Sequence, residues 1–292
     1  MDYIQTKILD VDDLLRLPRL LPGFIFRGQA DSRWGLKTSI ERMMESRGGI
    51  SCSLKKLELR MVNEYKKRRH LYTGDSIDEN DIFEWMAELQ HYGAPTRLLD
   101  FTFSPYVAAY FATHRARGEC SVWGINNSII NYFLKEKFDP GFEFMQPFDW
   151  RGLLNGEMNS VKINLSQNYV VTLRPSRENI RIYRQQGLFI SQVSTVNLEK
   201  PDDYLFFENC LATTLGEQEI PALGEKSFSE FEDLLKNRRL NDRGLTAPKI
   251  VKLDIPYDLM EEVKRSLNFM SINAESLFPG LDGLAQSIFN NN

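Results

Sequence analysis

The sequence predicts an α+β fold, in which helices and short strands follow one another without regular β-α-β alternation. Near the start of the chain, apolar residues recur at helical spacing in consecutive segments. Farther along, short apolar runs typical of strands are separated by irregular stretches. No internal repeat or low-complexity tract is present, and 292 residues suffice for one large domain or two modest ones.

The first third of the chain predicts one strand followed by helices. A Pro-Gly turn precedes the apolar strand 24–28, since this dipeptide marks a chain reversal. Helices are expected over 36–49, which ends at a double glycine, and over 54–72. A third helix is expected over 81–93, where a glycine and a nearby proline mark its end.

The remaining elements are predicted from capping residues and apolar alternation. Ser104 followed by Pro105 indicates the start of a helix, because serine caps free amides and proline suits the first turn. The segment 127–170 lacks periodicity and is expected to be an irregular insertion. The other expected elements are strands at 97–101, 121–126, 169–175 and 249–256, apolar alternation around a Gln-Gln-Gly turn in 179–191, and a helix at 259–270.

Composition excludes several classes of protein. Three widely spaced cysteines, no signal peptide and no run of about 18 apolar residues predict a reduced, cytoplasmic protein without a membrane partner. Three histidines and scattered cysteines match no metal-ligand spacing, so no metal is expected. A net charge of −4 neither requires nor excludes nucleic acid. The GxSxG, Walker and GxGxxG signatures are absent.

An arginine at the end of the first predicted strand is the first candidate site residue. Arg27 directly follows three apolar residues, and Gly28 beside it permits close backbone approach. This arrangement suits a bound phosphate or carboxylate. The alternative is an ion pair with an internal carboxylate such as Asp100, which would only fix the fold.

Two further stretches concentrate polar side chains beside apolar runs. Residues 90–105 contain seven that suit a ligand cleft or, alternatively, a buried structural network: Gln90, His91, Thr96, Arg97, Asp100, Thr102 and Ser104. His91 alone is more often a structural histidine than a base. Gln185 and Gln186, before a glycine, suit hydrogen bonds to a nucleotide or simply close a turn.

These stretches together resemble the FRG-domain family, named for a Phe-Arg-Gly motif. The resemblance rests on the following segments: Phe26–Gln29 with Trp34 and Leu36, Gln90–Thr102, Ser104-Pro105 before Val107–Ala112, Gln185–Phe189, Ile255-Pro256 and Leu277–Gly283. It implies a single FRG domain over 1–292 with a motif core at about 24–288. Family members occur in bacteria and phages, in some settings as components of defence or toxin systems.

A weaker similarity to ADP-ribosyltransferase-like folds implies a split β-sheet core with N-terminal helices and NAD as cofactor. It would place Arg27 on the first strand, and Asp100–Pro105 would form the second element. The third position, usually a glutamate, would be Gln185 or Gln186. The residues implied to bind the cofactor are Arg27, Gly28, Gln29, Thr96, Arg97, Asp100, Thr102 and Ser104, and those implied in catalysis are Gln185, Gln186 and His91.

Three functional hypotheses follow. The leading one is an NAD-using ADP-ribosyltransferase-like enzyme or NAD glycohydrolase, in a toxin or defence effector, with a protein or nucleic acid as acceptor. The first alternative is a non-catalytic module that binds a nucleotide, nucleic acid or protein. The second is a metal-independent nuclease or other hydrolase that uses His91 and Asp100, although a phosphodiesterase usually needs paired carboxylates for metal ions.

Overall fold

The computed structural model describes residues 3–48, 54–74, 76–138, 168–175, 179–193, 206–216, 222–237 and 248–290. The strands in these ranges are β1 Tyr3–Lys7, β2 Phe24–Gln29, β3 Leu98–Thr102, β4 Cys120–Asn126, β5 Tyr169–Leu173, β6 Gly187–Val193, β7 Ala222–Lys226 and β8 Ile250–Ile255. The α-helices are α1 Val11–Leu20, α2 Ser39–Ser46, α3 Leu54–Arg69, α4 Ile82–His91, α5 Pro105–His114, α6 Asn127–Phe138, α7 Ile180–Arg184, α8 Phe207–Thr214, α9 Phe228–Asn237, α10 Met260–Phe269, α11 Ala274–Leu277 and α12 Leu281–Asn290.

One mixed sheet joins the eight strands in the order β5-β6-β3-β2-β4-β8-β1-β7. Strand β1 runs parallel to both of its neighbours, and the other pairs are antiparallel. Helices cover both faces of this sheet, so the protein is built in three layers. Helices α3, α4, α6 and α8 contribute to the apolar core on one face, and α1, α5, α9, α10 and α11 to the core on the other.

The sheet splits between β2 and β3. Strand β2 pairs with β4 over six positions and β3 pairs with β6 over five. By contrast, β2 and β3 pair only at Phe26 and Thr102. Arg27 lies one residue beyond that single pair, so its side chain emerges where the two strands diverge. The fold therefore creates an opening at the Phe-Arg-Gly motif.

Helix α5 packs directly against β2 at Gly28. A Cβ at this position would lie 1.9 Å from the carbonyl oxygen of Ala108 and 2.5 Å from the amide nitrogen of Ala112. Both distances are far shorter than any contact between non-bonded atoms, so only glycine fits. The close backbone approach expected at Gly28 is thus made by a helix of the protein itself, and the role of Gly28 in binding a ligand stays a prediction.

A charged pair is buried next to the start of β3. The side chains of Arg97 and Glu58 are each 1% exposed, and Arg97 Nε donates to Glu58 Oε2 over 2.7 Å. Arg97 Nη1 also donates to the carbonyl of Gln192 at 3.3 Å. Full burial removes both charges from water, so each must be compensated by the other. This pair ties α3 to β3 and β6.

The structure confirms the α+β class and corrects several expected elements. The helix predicted to start at Ser104-Pro105 is α5, and the predicted strand 121–126 is β4. Residues 127–138 were expected to be irregular but form helix α6. Most of the remaining predicted insertion, residues 139–167, lies outside the described residues. Residues 180–184, where apolar alternation was expected before the Gln-Gln-Gly turn, form the short helix α7.

None of the helices within the described residues combines the length and the apolar character that crossing a bilayer requires.

Candidate functional site: a basic cleft at the split of the sheet

A cleft of about 1090 Å³ lies at the opening between β2 and β3. It is lined from one face of the sheet by α4 and the segment leading into α2, and from the other by α5 and residues near α11. Pockets for small ligands commonly measure roughly 300–1,000 Å³. The cleft therefore has room for a ligand as large as a dinucleotide.

Arg27 bridges the two strands where they diverge. Its Nη1 donates to the backbone carbonyl of Asp100 at 2.8 Å, while the Asp100 Oδ2 atom lies 3.9 Å away. Its buried Nε has no hydrogen-bond partner among the described residues. Burial lowers the pKa of Arg27, Asp100 opposes this shift and Arg42 adds to it. Arginine stays charged in proteins, so a largely buried cation lines the cleft.

The Asp100 carboxylate is held in position by a short hydrogen-bonded relay. Thr96 Oγ1 donates to Gln90 Oε1, and Gln90 Nε2 donates to Asp100 Oδ1 at 2.9 Å. The Asp100 side chain is 66% exposed, whereas that of Arg27 is 18% exposed. Asp100 is therefore not a carboxylate in a dry interior, and the purely fold-fixing interpretation of Arg27 loses its main premise.

Positive charge dominates the walls of the cleft. The basic residues that line it are Arg27, Arg33, Lys37, Arg42, Arg115 and Arg181, whereas its acidic residues are Glu45 and Asp100. Lys37 is paired with Glu45 at 2.6 Å, and Arg42 Nη1 donates to the Lys37 carbonyl at 2.5 Å. The excess of cations contrasts with the chain's net charge of −4. Such focused charge attracts anionic ligands.

Aromatic and histidine side chains line the wall formed by α5. The ring of His114 stacks on Tyr110 with centroids 5.1 Å apart, and the Tyr110 hydroxyl lies 3.2 Å from His114 Nδ1. Phe278 meets Phe111 edge to face at 5.9 Å and carries the guanidinium of Arg181 at 4.8 Å from its ring centroid. Flat rings and guanidinium planes of this kind suit stacking with a nucleobase.

Both histidines at the cleft have pKa values below the ordinary 6.5. For His91, burial is the main cause, Arg181 adds to it and Glu88 opposes it. For His114, burial is again first, followed by Arg115 and Lys264. Both imidazoles are therefore neutral at pH 7, which leaves each able to accept a proton.

The remaining wall is held by hydrogen bonds to backbone atoms. Gln185 Nε2 donates to the carbonyl of Leu277 at 3.1 Å, and the Gln185 carbonyl accepts from Thr102 Oγ1 at 2.7 Å. Ser104 Oγ accepts the amide of Val107 at 3.3 Å and so caps α5. These polar groups connect β3, α5, α7 and α11 around the cleft.

The structure brings seven of the eleven candidate residues to the cleft: Arg27, Gly28, Gln29, His91, Asp100, Thr102 and Gln185. The side-chain amide of Gln29 is already hydrogen-bonded within the protein: it donates to the carbonyl of Gly35 at 2.9 Å and accepts from Trp123 Nε1 at 3.2 Å. The other four are not among the lining residues: Thr96, Arg97, Ser104 and Gln186. Thr96 belongs to the relay, Arg97 is buried with Glu58, and Gln186 is exposed with φ 48°.

Several residues of the cleft are not identified by the sequence patterns. Lys37 precedes the amphipathic helix α2 and Arg42 lies within it, and charged residues at such positions ordinarily indicate a solvated face. His114 and Arg115 end α5 and look like ordinary C-terminal helix residues. Phe278 offers a signal, since it belongs to the segment Leu277–Gly283 that contributes to the family resemblance.

The family comparison places most of the cleft in one recognised domain. A family model described as the FRG domain matches residues 22–120, so the chain contains an FRG domain. The FRG recognition made from sequence motifs is confirmed, and the wider match to about residue 288 stays a prediction. All but six of the residues that line the cleft lie within the matched range. Searches of curated proteins and of solved structures gave no match.

Proposed function

We propose that the FRG domain binds a phosphate-bearing nucleotide in the cleft at the split of the sheet, and that this nucleotide is NAD. The observation that carries the proposal is the excess of basic side chains in the cleft of a chain whose net charge is negative. Arg27 supports it most directly, because this arginine lines the cleft and its side chain is partly exposed there. Arginine binds phosphate through paired N–H donors.

The size and the aromatic wall of the cleft favour a nucleotide over a small inorganic anion. A volume of about 1090 Å³ exceeds what a phosphate ion needs. His114 and Phe111 supply flat surfaces along α5, at the opposite face of the sheet from Lys37 and Arg42. This separation fits a ligand with a base at one end and phosphates near the split.

For catalysis, we propose an ADP-ribosyltransferase-like reaction. In this chemistry the bond between nicotinamide and ribose breaks, nicotinamide leaves with the electron pair, and an acceptor adds to the ribose. Positioning and charge stabilisation provide most of the catalysis. His91, neutral at pH 7, is the proposed base that takes the acceptor's proton. Gln185 lines the cleft but a glutamine cannot accept this proton.

A second candidate function is nucleotide binding without turnover. The Gln185 amide nitrogen, the Thr102 hydroxyl and the Ser104 hydroxyl are all engaged with backbone atoms. The ADP-ribosyltransferase-like resemblance would assign Thr102 and Ser104 to the nicotinamide side and Gln185 to the third position, which usually orients the ribose hydroxyls. Their engagement favours a recognition pocket in which the protein signals through a protein or nucleic-acid partner.

The cellular setting is likewise a proposal. We propose a cytoplasmic protein that acts as a toxin or defence effector. The buried Cys120 thiol, which is not in a disulfide, is compatible with a reducing compartment.

Two assays on the purified chain test the proposal. Nicotinamide release from NAD is followed by chromatography, and thermal unfolding is measured with NAD or ADP-ribose. We expect stabilisation by both ligands, because a ligand that binds only the native state raises the melting temperature. Nicotinamide release would support the enzyme, and stabilisation without release would support the binding module. Neither stabilisation nor release would contradict both.

Two neighbouring arginines provide a matched pair of variants. Arg115 lines the cleft and Arg117 does not, and both are exposed near the end of α5. Arg115→Gln is expected to weaken ADP-ribose binding about 3- to 10-fold, since an exposed charge contributes roughly 1 kcal/mol. Arg117→Gln is expected to change it less than about 2-fold. Equal effects would indicate that binding depends on overall charge rather than on the cleft.

A further inference from the structure

Among the described residues of the cleft, Asp100 has a carboxylate whose ion pair is long, with Oδ2 3.9 Å from Nη1 of Arg27. Glu45, the other acidic residue there, is paired with Lys37 at 2.6 Å. The hydrogen bond from Arg27 goes to the backbone carbonyl of Asp100 and not to its side chain. The Asp100 Oδ2 atom, at 3.9 Å from Arg27 Nη1, is beyond hydrogen-bond distance.

The geometry holds this carboxylate in one orientation. Gln90 Nε2 donates to Oδ1 of Asp100, and Gln90 is itself fixed by the hydroxyl of Thr96. Thr96 is 1% exposed, and its backbone amide donates to Ser39 at 2.9 Å. The relay therefore starts from a rigid point of the fold and ends with Oδ2 facing the cleft. A hydrogen-bond network of this kind limits the rotamers of its last member.

A carboxylate inside a basic cleft is unsuited to contact with the phosphate itself. Two negative charges at close range repel each other, and this lowers affinity wherever a phosphate approaches Asp100. An ionised carboxylate only accepts hydrogen bonds, so the part of the ligand that meets Asp100 has to be a donor group rather than the phosphate. The neutral donors that lie next to phosphate in a nucleotide are the ribose hydroxyls.

We propose that Asp100 is the sugar-recognition residue of the cleft and accepts hydrogen bonds from the vicinal hydroxyls of a ribose whose phosphate is bound by Arg27. Gln90 and Thr96 are positioning residues that act through Asp100. The proposal rests on the proposed function, since it requires that the cleft bind the phosphate. It deepens that function by defining the ligand class as ribose phosphates, as opposed to deoxyribose phosphates or inorganic anions.

Three small probes separate sugar recognition from anion binding: ribose 5-phosphate, 2-deoxyribose 5-phosphate and inorganic phosphate. Their dissociation constants are measured for the full chain by calorimetry or NMR titration. For the wild type we expect ribose 5-phosphate to bind about 10-fold more tightly than its 2-deoxy counterpart, the effect of one hydrogen bond to a charged group. Equal affinity for the two sugars would overturn the proposal.

The variant Asp100→Asn removes the charge but retains the shape, the acceptor for Gln90 and the backbone carbonyl that binds Arg27. We expect its preference for ribose to fall to less than about 3-fold. Its affinity for inorganic phosphate should stay the same or increase, because a repelling charge has been removed. A retained preference, or an equal loss of affinity for all three probes, would contradict sugar recognition.

Glu45→Gln is the matched control, since it also removes one negative charge from the cleft. It should retain the preference for ribose of about 10-fold whatever its effect on phosphate. Gln90→Leu tests positioning: the preference should decrease while phosphate affinity is maintained. If wild-type protein binds none of the three probes but is stabilised by NAD, sugar recognition at Asp100 is overturned and the proposed function stands. If NAD fails as well, both are overturned.

Discussion

Replacing Gly28 with alanine tests the packing that shapes the cleft. The new Cβ would lie 1.9 Å from the Ala108 carbonyl oxygen and 2.5 Å from the Ala112 amide nitrogen. Both atoms belong to the backbone of α5, so no side-chain rotation relieves the overlap. The carbonyl must retreat by about 1.5 Å, from 1.9 Å to the 3.4 Å of ordinary contact. That shift separates α5 from β2 along the buried face of the sheet.

We expect Gly28→Ala to lower the free energy of unfolding by about 3 kcal/mol, the upper part of the usual range for an overpacked core. For a chain of this size the corresponding decrease in melting temperature is roughly 5 °C. Chemical denaturation followed by circular dichroism measures the change. Gly118→Ala is the control, because no atom lies within 4 Å of the position that its Cβ would occupy and its φ is not left-handed. A Gly28→Ala protein as stable as Gly118→Ala would refute the packing argument.

Two further predictions concern buried charge and pH. Glu58→Gln leaves the Arg97 guanidinium buried without its counter-charge and should lower the free energy of unfolding in urea by about 3–5 kcal/mol. Glu64→Gln, at an exposed pair, is the control and should lower it by less than about 1 kcal/mol. Similar losses of stability in the two variants would argue against the buried pair. His114 has a lowered pKa, so the unfolded chain binds a proton more readily, and stability should decrease as pH falls below 6.5. His114→Gln should make unfolding free energies at pH 7.5 and 5.5 more alike, and an unchanged difference would contradict this assignment.

Local signals in the sequence predicted the elements on either side of the split. The helix start at Ser104-Pro105 is confirmed, because capping is decided by a few adjacent residues. Helix α6, in contrast, was missed because its turns are amphipathic only weakly and a segment without clear periodicity follows. Strand β1 was missed as well. It lies before the first predicted element, and its partners in the sheet, β7 and β8, are far away in sequence.

The candidate site was predicted in part, for a physical reason. Arg27 and Asp100 were expected near each other because each lies close to the end of a predicted strand. The structure joins them by one hydrogen bond, from the Arg27 side chain to the Asp100 carbonyl. Arg97 was grouped with them by sequence proximity alone, but the alternation of side chains along the chain directs it into the core beside Glu58. Residues such as Arg181 reach the cleft only through tertiary packing, which no local pattern reveals.

The affinity of ADP-ribose for wild-type protein and for Arg27→Gln tests the central claim most directly. Unfolding free energy is measured alongside it, so that a binding role is separated from a fold-fixing one. We expect affinity to fall about 10- to 100-fold, as for loss of a charged hydrogen bond, while stability falls by about 1 kcal/mol through the lost bond to Asp100. Unchanged affinity in a destabilised variant would contradict the account and leave Arg27 a structural residue.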